Sequence, residues 1–168
     1  SFKRLDRLKK INNNLYIEKN ILLAVLLIDK KDNHEYFAHK YNIANNIKED
    51  LNSLARDLRL LRENNDFFGK DLEKNIYLKN KNYLTNLNII NFAINTKYNF
   101  KDFSEIMRRI LQSKLRTFPI DGKYLIQNGM KEGLALGKVL KKIEDEWIDN
   151  NFKISKDRIK EIIQLNSN

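Results

Sequence analysis

The chain has 168 residues, of which 42% are apolar and 32% charged, with a net charge of +10 and a pI of about 9.6. This composition suffices for one sizeable core or a single helical array. The longest apolar run, Ile21–Ile28, has eight residues, which excludes a helix spanning a membrane because such a helix needs roughly 18. With no cysteine, disulfides and thiolate metal sites are excluded.

The first predicted elements are helices, because apolar residues recur at intervals of three and four. Tyr16–Ile28 is apolar on most faces and predicts a central helix, and the polar Asp29–Asn33 predicts a loop. Asn45 is predicted as the N-cap of the next helix, which Asn64–Asp66 ends. The two apolar stripes of this region are Phe2, Leu5, Leu8, Ile11 and Leu15, and then Ile47, Leu51, Leu54, Leu58 and Leu61.

Helical patterns continue to the end of the chain, and no alternating strand pattern persists. Further helices are predicted at Asp71–Lys79, Tyr83–Asn95, around Phe103–Leu111, from the Asp121 cap to Gln127, at Lys131–Asn150 and at Ser155–Leu165, with Ser155 as the N-cap of the last. In Tyr83–Asn95 the residues expected to face inward are Leu84, Leu87, Ile90 or Asn91, and Ile94. Thr117–Pro119 is predicted to break the helical pattern. The predicted fold class is all-α, an elongated helical array that ends in a helix-hairpin-helix-like segment. Its predicted domains are a helical body over residues 1–115 and a helical tail over 116–168.

The positive charge favours a polyanionic partner, because lysines and arginines release condensed counterions when they neutralise phosphates. The composition offers a second explanation, since joint enrichment in Asn, Lys and Ile is expected from an AT-rich genome. No targeting segment is evident, so the cytoplasm is the expected location and no membrane partner is expected. The opening SFKRLDRLKK has the pattern of a helix taken from a longer chain.

The sequence contains few of the residue patterns that are typical of enzyme active sites. His34 and His39 are five residues apart, about 140° around a helix, and are expected to be surface or half-buried residues. No phosphate-binding glycine loop is present, and no serine is paired with a histidine. We therefore predict no catalytic residue and no metal site.

Four of the five glycines fall between residues 118 and 147. Asp121–Gln127, the following loop and the helix after Gly133 together indicate a helix-hairpin-helix, in which loop N–H groups and a positive dipole end face a phosphate. On that helix Leu136, Leu140, Ile143 and Trp147 form one stripe, with Val139 at its edge, and the stripe predicts Trp147 as a core residue. Lys138, Lys141 and Lys142 lie opposite, either as a solvated basic face or beside a phosphate backbone.

The segment FPIDGKYLIQNGMKEGLALGKVLKKIEDEW resembles the C-terminal part of bacterial tRNA nucleotidyltransferases, the CCA-adding enzymes, and of related poly(A) polymerases. Tyr124 stands where that family usually has Asp, and Leu134 replaces a Pro. A second match, Asn42–Leu51, is similar to a helix start in the family, with Ala44 in place of Ser. The residues in register are Phe118, Pro119, Ile120, Gly122, Leu125, Ile126, Gly129, Gly133, Gly137, Leu140, Glu144 and Trp147.

The resemblance implies the helical body and tail that hold tRNA or another RNA. The family's catalytic head, with its Gly-Ser turn and two metal-binding aspartates, and its nucleotide-pairing Glu-Asp-x-x-Arg motif have no counterpart here. The chain is therefore expected to be a fragment or one part of a split gene, without activity of its own. A separate catalytic head is a candidate partner, and Mg²⁺ with CTP or ATP is expected only in a complete parent enzyme.

Two sets of site residues follow. The expected RNA-binding residues are Lys123, Gly129, Lys131, Gly133, Gly137, Lys138, Lys141 and Lys142, and the structural motif is Phe118, Pro119, Gly122, Leu140 and Trp147. The alternative function is a helical protein-interaction or oligomerisation module without RNA binding.

Overall fold

The computed structural model of the chain describes residues 2–11, 17–29 and 31–166. Across these ranges the protein has ten α-helices and no β-strand, which confirms the all-α prediction. The helices are α1 (Phe2–Lys9), α2 (Lys19–Leu27), α3 (Asn33–Lys40), α4 (Asn45–Glu63), α5 (Leu72–Lys79), α6 (Lys81–Ile94), α7 (Phe100–Gln112), α8 (Gly122–Gln127), α9 (Leu134–Asp149) and α10 (Lys156–Asn166). None of the helices within the described ranges is long and apolar enough to cross a membrane.

The chain divides into two compact units, residues 1–113 and 114–168. The sequence placed a boundary between residues 115 and 116. The first unit contains α1 to α7, and the second contains α8 to α10. Residues 113–121, which include the predicted break at Thr117–Pro119, are not helical.

Helix α6 is the centre of the first unit, where it packs against α1, α2, α4, α5 and α7. Leu84, Leu87 and Ile90 are fully buried in it, as their spacing predicted. Asn88 is also buried, and its polar atoms are satisfied: its side-chain amide donates to the Phe103 carbonyl at 3.1 Å, and its Oδ1 accepts from the Tyr98 hydroxyl at 2.8 Å. A buried amide with both hydrogen bonds made costs little, which is why this helix tolerates a polar residue at its most enclosed point.

Two arginines of α1 join it to the ends of other helices. Arg4 donates to the carbonyls of Val25 and Ile28 at 2.8 and 3.0 Å, at the end of α2. Arg7 donates to the Phe92 carbonyl at 2.7 Å, near the end of α6, and its guanidinium lies 4.3 Å from the Phe92 ring centre. The last carbonyls of a helix have no partner within the helix, so these arginines satisfy groups that would otherwise be unpaired.

The sequence did not predict α3, and it predicted α1 to be longer. The buried face of α3 consists of His34 and Ala38 rather than large aliphatic residues, so its apolar periodicity is weak. His34 is 1% exposed, which corrects the expectation of a surface or half-buried residue, whereas His39 is exposed. In the first stripe Phe2 is 83% exposed, and Leu15 lies outside the described residues.

Some of the predicted helix caps are confirmed and others are corrected. Ser155 accepts a hydrogen bond from the Arg158 amide at 3.1 Å, which confirms the predicted N-cap of α10. The N-cap of α4 is Ala44 rather than Asn45, which is already helical. Asn80 caps α6 by accepting from the Tyr83 amide at 2.9 Å, so this helix begins two residues before its predicted start.

The second unit encloses a small core of its own between α8, α9 and α10. An ion pair on its surface joins two of these helices, with Arg158 donating twice to the Glu146 carboxylate at 2.7 and 3.0 Å. This hydrogen bonding holds the pKa of Glu146 below its usual value. The buried apolar residues of the core are Leu125, Met130, Val139, Ile143, Ile159, Ile162 and Ile163.

Candidate functional site

The loop between α8 and α9 begins with the hydrogen bonds that end α8. The Gly129 amide donates to the Ile126 carbonyl at 3.0 Å, and the Met130 amide donates to the Leu125 carbonyl at 3.1 Å. Gly129 has a φ of +100°, a left-handed conformation that favours glycine, and this combination is a standard way to end a helix. The helix-hairpin-helix pattern predicted that the amides of this loop are free to bind phosphate. The Gly129 and Met130 amides are instead used to end α8.

The side chains at this helix end agree with that structural role. Met130 is 4% exposed and belongs to the same core as the fully buried Leu125, three residues before the cap. At the other end of α8, Asp121 accepts from the Tyr124 amide at 2.8 Å, which confirms the predicted cap. The first half of the loop is therefore a structural element.

The second half of the loop leaves backbone donors open. Gly133 is the N-cap of α9 with φ +142° and ψ −172°, a region that is essentially restricted to glycine. Because Gly133 has no side chain, it supplies no capping acceptor, and in the part of the chain that the structure describes the amides of Leu134 and Ala135 make no hydrogen bond. Both residues are exposed. These two amides, rather than that of Gly129, are the donors at the positive end of the α9 dipole.

The sequence carries a signal for these two donors. A glycine at an N-cap position leaves the first amides of its helix without a side-chain acceptor, in contrast to Ser, Thr, Asp or Asn. The first turn of α9 also contains no acidic residue, although the exposed Glu132 precedes Gly133. An approaching anion would therefore find two amide donors with one carboxylate nearby.

The three lysines of α9 are exposed as predicted but differ in their surroundings. Lys141 contacts the Asp145 carboxylate at 2.7 Å and the Glu144 carboxylate at 3.2 Å, and its hydrogen bond to Asp145 raises the pKa of Lys141. Among the described residues no carboxylate lies within ion-pair distance of Lys138 or Lys142. Lys141 is therefore the weakest of the three candidates for contact with a phosphate.

The charges along α9 run opposite to the usual preference. Carboxylates normally stabilise the start of a helix, which has a partial positive charge, and cations normally stabilise its end, which has a partial negative charge. In α9 the lysines come first, and the acidic residues Glu144, Asp145, Glu146 and Asp149 follow. This order adds positive potential to the open amides at the start of α9, at some expense to the intrinsic stability of the helix.

The two remaining glycines of the motif have different surroundings. A Cβ built on Gly122 would lie 3.2 Å from Cδ2 of Leu136, so Gly122 is where α8 and α9 approach closely. A Cβ built on Gly137 would meet nothing within 4 Å, and Gly137 is exposed. Close approach of the two helices therefore requires a glycine at Gly122 but not at Gly137.

The aromatic residues of the motif pack together. Trp147 is 5% exposed, with its ring centre 5.3 Å from that of Phe118 and 4.9 Å from that of Phe152, which confirms its prediction as a core residue. On α9 the predicted edge residue Val139 is fully packed, whereas Leu140 is half-buried. The exposed positions of the motif are Pro119, Lys123, Gly129, Lys131, Gly133, Gly137, Lys138, Lys141 and Lys142.

Comparisons of the chain with protein-family models, with curated proteins and with solved structures found no match. The RNA-binding roles of the residues above stay predictions.

Replacing Gly137 with alanine is expected to stabilise the protein by roughly 0.5–1 kcal/mol, because glycine is disfavoured within a helix and the added methyl group meets open space. Replacing Gly133 with alanine is the matched control, and it should cost about 1–3 kcal/mol because φ at this position is strained for any other residue. Thermal unfolding followed by circular dichroism measures both variants. A lower melting temperature for Gly137→Ala would contradict the open surroundings of Gly137.

Proposed function

We propose that this chain is the C-terminal RNA-binding region of a tRNA nucleotidyltransferase or poly(A) polymerase-like protein, acting in the cytoplasm without catalysis of its own. The observation that carries the proposal is the register of twelve residues between Phe118 and Trp147 with the pattern of that family. Nucleotide addition to RNA 3′ ends would belong to a complete parent enzyme with its own head, Mg²⁺ and CTP or ATP.

The surroundings of the pattern residues support the proposal. Gly129 and Gly133 occupy backbone conformations that glycine alone adopts easily, Gly122 lies against Leu136, and the Phe118 ring packs on Trp147. A glycine pattern produced by composition bias has no reason to coincide with these requirements. Three of the four motif glycines, Gly122, Gly129 and Gly133, therefore stand where the local structure favours glycine.

The charge distribution supports phosphate contact rather than base readout. Residues 114–168 contain 11 Lys and Arg against 8 Asp and Glu, and the exposed Lys138 and Lys142 lie near the open amides of Leu134 and Ala135 in sequence. Lysines and backbone amides hold phosphates without reading sequence, which suits a protein that must accept many tRNAs.

The test is tRNA binding by the full chain as a function of salt. Replacing Lys138 and Lys142 with glutamine should weaken binding of different tRNAs equally and reduce the slope of log affinity against log salt by about two. Adding Lys141→Gln should have a small further effect, because this lysine is already balanced by Asp145. The measurement is fluorescence anisotropy with two different tRNAs between low and physiological salt.

Lys156→Gln with Lys160→Gln is the matched control, since it removes the same charge from exposed positions on α10. An equal loss of tRNA affinity in this control would show a general electrostatic effect rather than a binding site on α9. A loss confined to one tRNA would indicate base readout, and a wild-type chain that binds no RNA would refute the proposal.

The alternative, a protein-interaction module, has one observation in its favour. Leu134, which takes the place of a proline in the family pattern, is 91% exposed at the start of α9. An apolar residue at this point could contact a protein partner. Such a module would show no dependence on Lys138 and Lys142 and little response to salt.

A further inference from the structure

Two exposed tyrosines lie around one lysine on the short helix α3, in the first unit. Tyr36 is 65% and Tyr41 is 59% exposed. The ammonium nitrogen of Lys40 lies 5.6 Å from the ring centre of Tyr36 and 5.5 Å from that of Tyr41, within the range of cation–π attraction. Tyrosine rings usually bury part of their surface, so two exposed rings beside a cation offer a contact surface for a partner outside the fold.

The arrangement is separate from the packing of α3. His34 and Ala38 form the buried side of the helix and contribute to the packing of the first unit. The acidic residue of this helix, Glu35, is five residues from Lys40, about 140° around the helix axis. The exposed parts of both rings and the ammonium group are therefore presented on a side of α3 that neither the core nor Glu35 occupies.

Tyr41 is also held in place from within the protein. Its amide donates to the Phe37 carbonyl at 3.0 Å, and its ring lies 4.7 Å from the ring of the half-buried Phe37. A tyrosine has only two side-chain torsions, so a ring restrained in this way loses little entropy when a flat ligand stacks on it.

We propose that Tyr36, Lys40 and Tyr41 form a platform on which unpaired bases of RNA stack, with Lys40 contacting an adjacent phosphate. This inference rests on the proposed RNA-binding function and adds a second contact of a different chemical kind. Exposed aromatic rings beside a cation match the flat bases and anionic backbone of a single strand. A base within a duplex shows no open face, so the platform selects unpaired nucleotides.

The test compares two double variants of the full chain. Tyr36→Leu with Tyr41→Leu keeps apolar side chains but removes the stacking faces, whereas Tyr36→Phe with Tyr41→Phe keeps the faces and removes only the hydroxyls. The probes are a fluorescent 12-nucleotide single-stranded RNA and an RNA duplex of equal length, measured by anisotropy. Stacking of one base corresponds to roughly a 5- to 150-fold change in affinity.

The expected result is that the leucine variant binds the single strand at least about tenfold more weakly and binds the duplex almost as the wild type does. The phenylalanine variant should bind both as the wild type does, and Lys40→Gln should reduce the salt slope by about one. The phenylalanine variant and Lys40→Gln should melt at the wild-type temperature, whereas the leucine variant should melt slightly lower because it loses the contact of the Tyr41 ring with Phe37.

Three results would overturn the inference. If the wild type binds RNA but the leucine variant binds the single strand equally well, the platform is refuted while the proposed function stands. If the wild type binds neither RNA, both are refuted. If the leucine substitutions change only the sedimentation mass, this surface joins copies of the chain instead.

Discussion

Replacement of Trp147 with alanine is expected to lower the free energy of unfolding by roughly 3–5 kcal/mol. The side chain is 5% exposed and is enclosed by the rings of Phe118 and Phe152. Its removal leaves a cavity and takes from the Phe118 and Phe152 rings their packing against the indole. Phe152 also has a φ of +62°, an uncommon conformation for a bulky residue, so its packing on Trp147 offsets local strain.

Urea denaturation followed by circular dichroism measures this effect. Leu134→Ala is the control, because this side chain is 91% exposed and its removal should change stability by less than about 0.5 kcal/mol. An unfolding free energy of Trp147→Ala within about 0.5 kcal/mol of wild type would place the indole at the surface in solution, and would make base stacking a candidate role for it.

The second large effect is expected at the buried carboxylate of Asp57, in α4. This residue is 1% exposed, and its Oδ2 accepts from the Tyr83 hydroxyl at 2.7 Å and from the Lys79 ammonium at 2.8 Å. Burial, together with this hydrogen bond to Asp57, raises the pKa of Tyr83, so the hydroxyl stays protonated as a donor. The three side chains connect α4, α5 and α6.

Lys79→Met should cost about 2–3 kcal/mol, because it leaves a buried carboxylate without its closest cation. This is below the cost of breaking a fully buried pair, since Lys79 is 25% exposed and Arg56 Nε remains 3.6 Å from the Asp57 carboxylate. Combining it with Asp57→Asn should recover part of the loss, because the amide still accepts from Tyr83 and carries no charge.

Denaturant unfolding of the two single variants and the double variant gives the coupling energy of the pair. The control is Lys70→Met, which breaks the exposed pair of Lys70 with Asp66 and should leave stability unchanged. If Lys79→Met and Lys70→Met lose the same unfolding free energy, or if the double variant recovers none of it, the buried pair contributes no more to stability than the exposed pair does.

Helices with large aliphatic stripes could be predicted from the sequence. Helix α4 contains Leu51, Leu54 and Leu58 at helical spacing, and all three are buried. Helix α3 could not be predicted in this way, because the packing of the first unit encloses a histidine and an alanine at His34 and Ala38. Neither residue type marks a buried face by itself, so the stability of α3 comes from packing against neighbouring helices.

The candidate site likewise combines features that the sequence predicts with features that only the folded chain shows. The sequence alone determined that the chain is helical, that Asp121 and Ser155 begin helices and that Trp147 belongs to a core, because caps and apolar spacing act within a few residues. Only the tertiary structure decided that Gly122 lies against Leu136, that the Phe118 ring packs on Trp147, and that Arg158 pairs with Glu146. Which partner satisfies a given donor or charge depends on which groups the folded chain brings within about 3 Å, and helical periodicity does not specify that distance.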